Sequence, residues 1–262
     1  MNGTNYDLSG RHYVVTGSTQ GLGRAVALRL VQAGAAGVVL CGRSAERGEA
    51  VRQEVEELGS RAVFVPADLA NEAECRNVVR EGAAAFGSIH GLVNAAGITD
   101  RGGVEDGTAE LWDRMMAVNA RAPFFLMQEC IRLMKAGGEG GSIVNMISDQ
   151  AHGGTKVLGL YAASKGALAS LTKNAAHAHL KDRIRVNGVL LGWMATPNEH
   201  KIQIAEGKGE NWLEDADAAQ PFGRLLRPED LAEMALFLLS DASCMMTGAL
   251  IDYDQKVIGG MG

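Results

Sequence analysis

No stretch of this 262-residue chain approaches the roughly 18 consecutive apolar residues that a membrane span requires. The opening, MNGTNYDLSGRHYVV, has no basic segment followed by an apolar one, so the expectation is a cytoplasmic protein without a secretory signal. Cysteine is sparse: Cys41, Cys75, Cys130 and Cys244 lie far apart, with no C-x-x-C pair. That spacing points to reduced, mostly buried thiols and argues against disulfides or a metal site. Basic charge is in deficit, 25 Lys and Arg against 31 acids for a net charge of −6, which argues against a nucleic-acid surface. Aromatic residues make up only 5%. The expected partner is a small molecule, with no nucleic acid and no membrane.

Apolar residues and glycine are abundant. Hydrophobic residues reach 47% and charged ones 21%, enough to build a core and to exclude disorder. Glycine occurs 34 times without a fixed period, so the excess marks tight turns and close backbone approaches. Apolar runs at 12–16, 37–41, 62–66, 91–94, 142–148, 184–191 and 249–253 have strand length. Several are continuously apolar and Val-rich, as in strands covered on both faces of a parallel sheet. Between them, 21–33, 45–58, 71–86, 110–135, 161–181 and 228–239 read as helices. The uninterrupted alternation predicts an α/β protein: a single doubly wound parallel sheet of about seven strands with helices on both faces. No linker, fixed repeat or low-complexity tract divides 1–262, which reads as one domain.

Two segments depart from the simple pattern. The 110–135 helix is apolar almost all round, with Leu111, Met115, Val118, Phe124, Phe125, Leu126, Ile131, Leu133 and Met134. A sheet covers only one face, so the second face either lies deep inside the fold or meets another subunit; the expectation is a homo-oligomer. Small residues of 161–170 would pack beside it, and Pro123 should kink the helix. The 197–224 segment carries nine acidic, basic or His side chains between Glu199 and Asp217 and little periodicity. It reads as a substrate-covering lid or as an ornamental loop, and its place after a late strand favours the lid.

The first strand runs into Thr16-Gly17-Ser18-Thr19-Gln20-Gly21-Leu22-Gly23, and a helix follows at once. Such glycines turn the chain sharply and bring bare backbone to a pyrophosphate at a positive helix N-terminus. The spacing is G-x-x-x-G-x-G, not the commoner G-x-G-x-x-G; a plain tight turn is the alternative. The end of the second strand reads the adenosine ribose in dinucleotide folds, where an acid bonds the 2′-hydroxyl and Arg accepts a 2′-phosphate. Here Cys41-Gly42-Arg43-Ser44 has no acid, so NADP(H) is favoured over NAD(H) through Arg43, unless Arg43 is merely solvated. Asp68 closes the third strand, where it reaches the adenine or caps the helix that follows.

Tyr161 and Lys165 in Tyr161-Ala162-Ala163-Ser164-Lys165 are one turn apart on one helix face. A free tyrosine has a pKa of about 10; a neighbouring ammonium should lower it and make the phenol a usable acid/base. Ser148 ends the fifth strand on the same sheet edge, where its hydroxyl would hold a substrate oxygen beside Tyr161. His177 and His179 point apart and make no metal pair.

The ordered set Thr16–Gly23, Asp68-Leu69, Asn94-Ala95-Ala96-Gly97, Asn119, Ser148, Tyr161/Lys165 and Asn187…Gly192…Thr196 resembles the short-chain dehydrogenase/reductase family over nearly the whole chain. The resemblance implies a Rossmann-type domain, NAD(P)-dependent hydride transfer between an alcohol and a ketone, and a homotetramer. It implies Tyr161 as acid/base and Lys165 as the residue that lowers its pKa and binds the nicotinamide ribose. Ser148 would orient the substrate, and Asn119 would bend its helix and hold a water that links Lys165 to solvent. By the same resemblance Gly17, Ser18, Gln20, Gly21, Leu22, Gly23, Arg43, Asp68, Leu69, Asn94 and Gly97 line the cofactor, and backbone near Met194 and Thr196 receives its carboxamide. Departures are Ala95 for the family's second Asn, Leu191 for Pro in Pro-Gly, and Asp254-Gln255-Lys256 for Asp-Gly-Gly.

The substrate leaves fainter marks. Asp149, Gln150 and His152 follow Ser148 where a steroid or fatty chain would want apolar residues. The expectation is a small polar substrate, a sugar, polyol or hydroxy acid, with Gln150, His152, Trp193 and Met194 at the pocket; core packing is the alternative for Trp193 and Met194. A 3-oxoacyl or hydroxysteroid reductase is the family alternative. An epimerase or dehydratase and a non-catalytic dinucleotide-binding module are the rivals from other classes.

Overall fold

The computed structural model describes residues 6–257. Seven parallel strands form one sheet: β1 (His12–Thr16), β2 (Gly37–Gly42), β3 (Arg61–Pro66), β4 (Gly91–Asn94), β5 (Gly141–Met146), β6 (Ile184–Leu191) and β7 (Leu250–Tyr253). Their spatial order is β3-β2-β1-β4-β5-β6-β7. The order reverses between β1 and β4, and a crevice opens there beyond the carboxyl ends of the strands. β1, β2, β4 and β5 are buried along almost their whole length, which explains their unbroken apolar runs.

Helices α1 (Gly21–Gln32), α2 (Ala45–Glu57), α3 (Glu72–Phe86), α4 (Ala109–Met116), α5 (Ala122–Gly137), α6 (Gly159–Ala178), α7 (Pro197–Ala205), α8 (Trp212–Ala218) and α9 (Pro228–Leu239) complete the fold. One face of the sheet carries α1, α2 and α9 through Val26, Leu30, Val51, Val55 and Leu236. The other carries α3, α5 and α6 through Val78, Leu126, Cys130 and Ala176. Side-chain caps set several helix starts: Asn71 accepts from Ala73 N–H at 2.9 Å, Thr108 from Leu111 at 3.2 Å and Thr196 from Glu199 at 3.1 Å.

The expected continuous 110–135 helix is broken. Residues 117–121 form a wide π-helical turn between α4 and α5, so the irregularity falls one turn before Pro123. Pro123 lacks the N–H that would bond the carbonyl of Asn119 four residues back. The released turn lets the Asn119 side chain, wholly buried, swing to the β4 loop. The 197–224 segment also differs from expectation, since it contains α7 and α8. Thr196 and Pro197 start α7, and Trp212, Ala216 and Leu225 build a small apolar cluster with Ile204. An ion pair, Arg101 Nε to Glu206 Oε1 at 2.6 Å, ties α7 to the loop after β4.

The β5 ladder ends at Met146 rather than Ser148. Ile147 N–H still reaches the Val189 carbonyl at 2.8 Å, while Ser148 caps a short 3-10 turn over Asp149–His152. All four cysteines are free, with Cys41, Cys75 and Cys130 buried. Among the described residues there is no cluster of metal-ligating side chains and no helix long and apolar enough to cross a membrane.

Candidate active site

The glycine turn after β1 is shaped by close approach. Gly17 has φ +64° and Gly21 φ +53°, in the left-handed region that favours glycine. A Cβ at Gly17 would lie 2.9 Å from Ala96 Cα, and one at Gly23 would lie 2.5 Å from the Gly17 carbonyl oxygen. Ser18 is buried and ties the turn to β2, accepting from Cys41 N–H at 2.9 Å. Gln20 precedes α1 in extended conformation, with no side-chain cap and no acid in the first turn. The N–H groups of Gly21, Leu22 and Gly23 therefore stand at a positive helix end without a protein side chain to neutralise them. Thr196 and Pro197 approach within 3.9 Å of where a Gly21 Cβ would be. Asn94 gives its Nδ2 to Asn145 Oδ1 at 2.8 Å, and its own Oδ1 is buried and unpartnered. An uncapped helix start, a cradle a Cβ would fill and an orphaned acceptor fit a dinucleotide.

Arg43 is exposed at the end of β2, with Ser44 capping α2 by accepting from Arg47 N–H. Asp68 is exposed and accepts from Ala70 N–H at 3.0 Å, while Leu69 is buried. Asn71, not Asp68, caps α3. Ala95 and Ala96 N–H both donate to Thr16 Oγ1 at 3.0 Å. The Asn94–Asn145 bond continues from Asn145 to Thr172 at 2.8 Å, so β4, β5 and α6 are joined despite alanine at 95. Asn187 links β6 to the chain before β7 through the Met246 carbonyl and Ala249 N–H.

Asn119, Ser148, Tyr161 and Lys165 come together from the π-turn, the end of β5 and α6. All four are buried. A Cβ built at Gly97 would stand 3.4 Å from Asn119 Oδ1 and 3.5 Å from Lys165 Nζ, so that glycine lies against both. Lys165 Nζ donates to the Met146 carbonyl at 2.8 Å and lies 5.7 Å from the centre of the Tyr161 ring. Asn119 Oδ1 accepts from Ile98 N–H and its Nδ2 donates to the Ile98 carbonyl, both at 2.9 Å. The Ser148 hydroxyl accepts from Gln150 N–H at 3.2 Å and donates to Asp149 Oδ1 at 3.3 Å, on the side of the Tyr161 phenol.

Burial pushes the Tyr161 phenol up to about 12; Ser148 opposes this, and the carboxylates of Asp149 and Glu199 add to it. Burial alone brings the Lys165 amine down to about 8. Burial is thus the largest influence on both groups. Dehydration disfavours the charged form of each. At neutral pH the pair is a neutral phenol beside an ammonium.

Of Gln150, His152 and Trp193, Gln150 alone is hydrogen-bonded to Ser148. Its Nε2 reaches Asp149 Oδ1 at 3.3 Å, and its Oε1 is buried without a partner. His152 is engaged by Asp252 on β7 at 2.9 Å. Trp193 donates to Glu199 at 2.8 Å and stacks on Trp212 with centroids 6.0 Å apart. Met194 is packed in the core and paired with Leu226 through backbone. Sequence reasoning missed Lys256, whose ammonium reaches Asp149 Oδ2 at 2.7 Å across 107 positions. Its only signal was a lysine in place of a customary glycine.

Residues 17–255 match the family model described as "Enoyl-(Acyl carrier protein) reductase". The chain is 37% identical over 245 residues to the NADP-dependent (R)-specific alcohol dehydrogenase of Lentilactobacillus kefiri, covering 92% of this chain and 94% of that one. It is 34% identical to the sorbitol dehydrogenase of Cereibacter sphaeroides, covering 88% and 91%. Among solved structures, a short-chain type dehydrogenase/reductase from Mycobacterium ulcerans superposes with TM-score 0.86 at 33% identity, covering 95% of this chain and 90% of that one.

Proposed function

The chain belongs to the short-chain dehydrogenase/reductase family of alcohol oxidoreductases, and on that premise we propose that it interconverts a small polar secondary alcohol and its ketone. Tyr161 is the acid/base, Ser148 holds the reacting oxygen, and Lys165 and Asn119 support them. A nicotinamide dinucleotide, when bound, accepts or donates the hydride. Gly17, Ser18, Gln20, Gly21, Leu22 and Gly23 form its pyrophosphate cradle, with Asp68, Leu69, Asn94, Gly97, Met194 and Thr196 along its length. NADP(H) is favoured over NAD(H), because Arg43 offers a fork for a 2′-phosphate and the β2 end carries no acid.

In ketone reduction the neutral Tyr161 phenol gives its proton to the substrate oxygen that Ser148 orients and becomes phenolate; in oxidation the phenolate, formed when the phenol first releases its proton, takes the alcohol proton. The Lys165 ammonium steadies the phenolate that forms, and burial strengthens that attraction as charge develops. Asn119 fixes the loop carrying Gly97 against Lys165. We assign one catalytic domain to the chain, with 197–224 as a substrate cover pinned by Arg101 and Glu206.

One observation carries the reading: Tyr161, Ser148 and Lys165 converge, buried, at the crevice edge that also holds the uncapped glycine turn. The polar run after Ser148 supports a sugar, polyol or hydroxy acid, as does the sorbitol dehydrogenase relative. An acyl ketone is the second reading, supported by the description of the matched family model. The open groove lined by Met116, Ala120, Phe124, Ala167 and Leu171 supports a homotetramer, and among the described residues no helix is long and apolar enough to cross a membrane. The test is nicotinamide absorbance with panels of alcohols, ketones and acyl thioesters and both cofactors. Turnover of small polar alcohols with NADP is expected; turnover of acyl or steroid ketones alone contradicts the substrate class.

A further inference from the structure

The chain after β7 meets the loop after Ser148. Lys256, 64% exposed at its side chain, pairs with Asp149, which is only 10% exposed. Lys256 also lines a cavity of about 180 Å³ together with Trp193, Pro221, Leu226 and Asp254, so the ion pair links the loop after Ser148 to that cavity. That volume far exceeds the roughly 15 Å³ that admits one water. Gly192 lets Asp254 approach, since a Cβ there would stand 2.6 Å from Asp254 Cβ. Asp254 Oδ1 accepts from Lys256 N–H at 3.1 Å, while its Oδ2, like Gln150 Oε1, is buried without a partner.

We infer that this cavity is a subsite for the hydroxylated tail of a neutral polyol or sugar, with Asp254 and Lys256 as specificity-determining residues. The inference rests on the proposed alcohol–ketone reaction and narrows its substrate. A buried acceptor without a donor is unfavourable. Asp254 lines the cavity, so its carboxylate is the acceptor group of that wall. Lys256 spends one of its three N–H donors on Asp149 and keeps others for oxygen acceptors. Only a group that both donates and accepts satisfies the two together, and hydroxyl does so. Trp193 has one face against Trp212 and offers its apolar remainder to C–H edges. Asp149, Asp254 and Glu199 against one ammonium leave the region negative, so a substrate carboxylate is repelled and hydroxy acids drop out.

The experiment measures kcat and KM for pentitols and hexitols, 2-butanol, gluconate and 1-amino-2-butanol, in wild type, Lys256→Gly and Asp254→Asn. The best alditol is expected to exceed the other three in wild type. Each variant is expected to lower the ratio of kcat/KM for that alditol over 2-butanol about tenfold, chiefly through KM, or about 1.4 kcal/mol. A ratio unmoved in the variants, or gluconate or the amino alcohol as the better substrate, overturns the inference. Should Asp254→Asn fail to fold, Lys256→Gly decides alone, its side chain being largely exposed. Oxidation of 2-butanol but of no alditol removes the subsite and leaves the proposed reaction standing. No oxidation of any of them with either cofactor removes both.

Discussion

Asn119 closes both backbone polar groups of Ile98, accepting its N–H and donating to its carbonyl at 2.9 Å each. The pair joins the π-turn to the loop after β4 and holds Gly97 against Lys165. Replacement by leucine leaves two inward-facing backbone groups unsatisfied, at about 1–3 kcal/mol. Urea unfolding of Asn119→Leu should show that loss, together with reduced kcat. Unchanged stability would mean that the bond pair does not organise the site.

Folding lowers the Lys165 pKa from 10.5 to about 8, so between those values the unfolded chain binds more protons. Stability contributed by this residue therefore rises with pH across that window. Tyr161 moves the other way, from 10.0 to about 12, so its contribution falls as pH climbs through that higher range. Urea midpoints of wild type minus Lys165→Met should rise from pH 8 to 10.5. In ultraviolet titration, the difference between wild type and Tyr161→Phe should show no phenolate up to pH 10. A phenolate signal at neutral pH would overturn the assignment of a neutral acid.

Arg43→Ala should raise the Kd of NADPH about tenfold or more, the loss expected for a charge-assisted contact. NADH should change by less than about twofold. Fluorescence titration reads both, and equal losses would take Arg43 away from the 2′-phosphate.

The Arg101–Glu206 pair is one-third exposed on each side, so it contributes little to stability. Its effect should appear in substrate capture. Arg101→Ala should raise KM about threefold with kcat and thermal midpoint nearly unchanged. An unmoved KM would free 197–224 from any covering role.

The sheet was readable because its central strands are buried on both faces, leaving continuous apolar runs such as 13–15 and 38–40 that no amphipathic helix imitates. The glycine turn and the Tyr161/Lys165 pair were readable as local spacings. What escaped was set by long-range contact. The break before α5 falls at 117–121, ahead of Pro123, where the released Asn119 side chain bonds Ile98. Helices α7 and α8 are nine and seven residues long, too short for a periodic stripe to emerge, and their apolar cluster forms with Leu225. Lys256 meets Asp149 across 107 positions. The burial that raises the Tyr161 phenol was not legible, because spacing reveals a neighbouring charge but not how far a side chain is dehydrated.

The most direct test is nicotinamide absorbance in Tyr161→Phe, alongside fluorescence titration of the cofactor. The substitution keeps the ring and removes only the hydroxyl that trades the proton. Turnover should fall at least about a hundredfold, within the range for loss of a general acid/base, while cofactor Kd stays within about twofold of wild type. Undiminished turnover in a variant that binds cofactor normally would contradict the account.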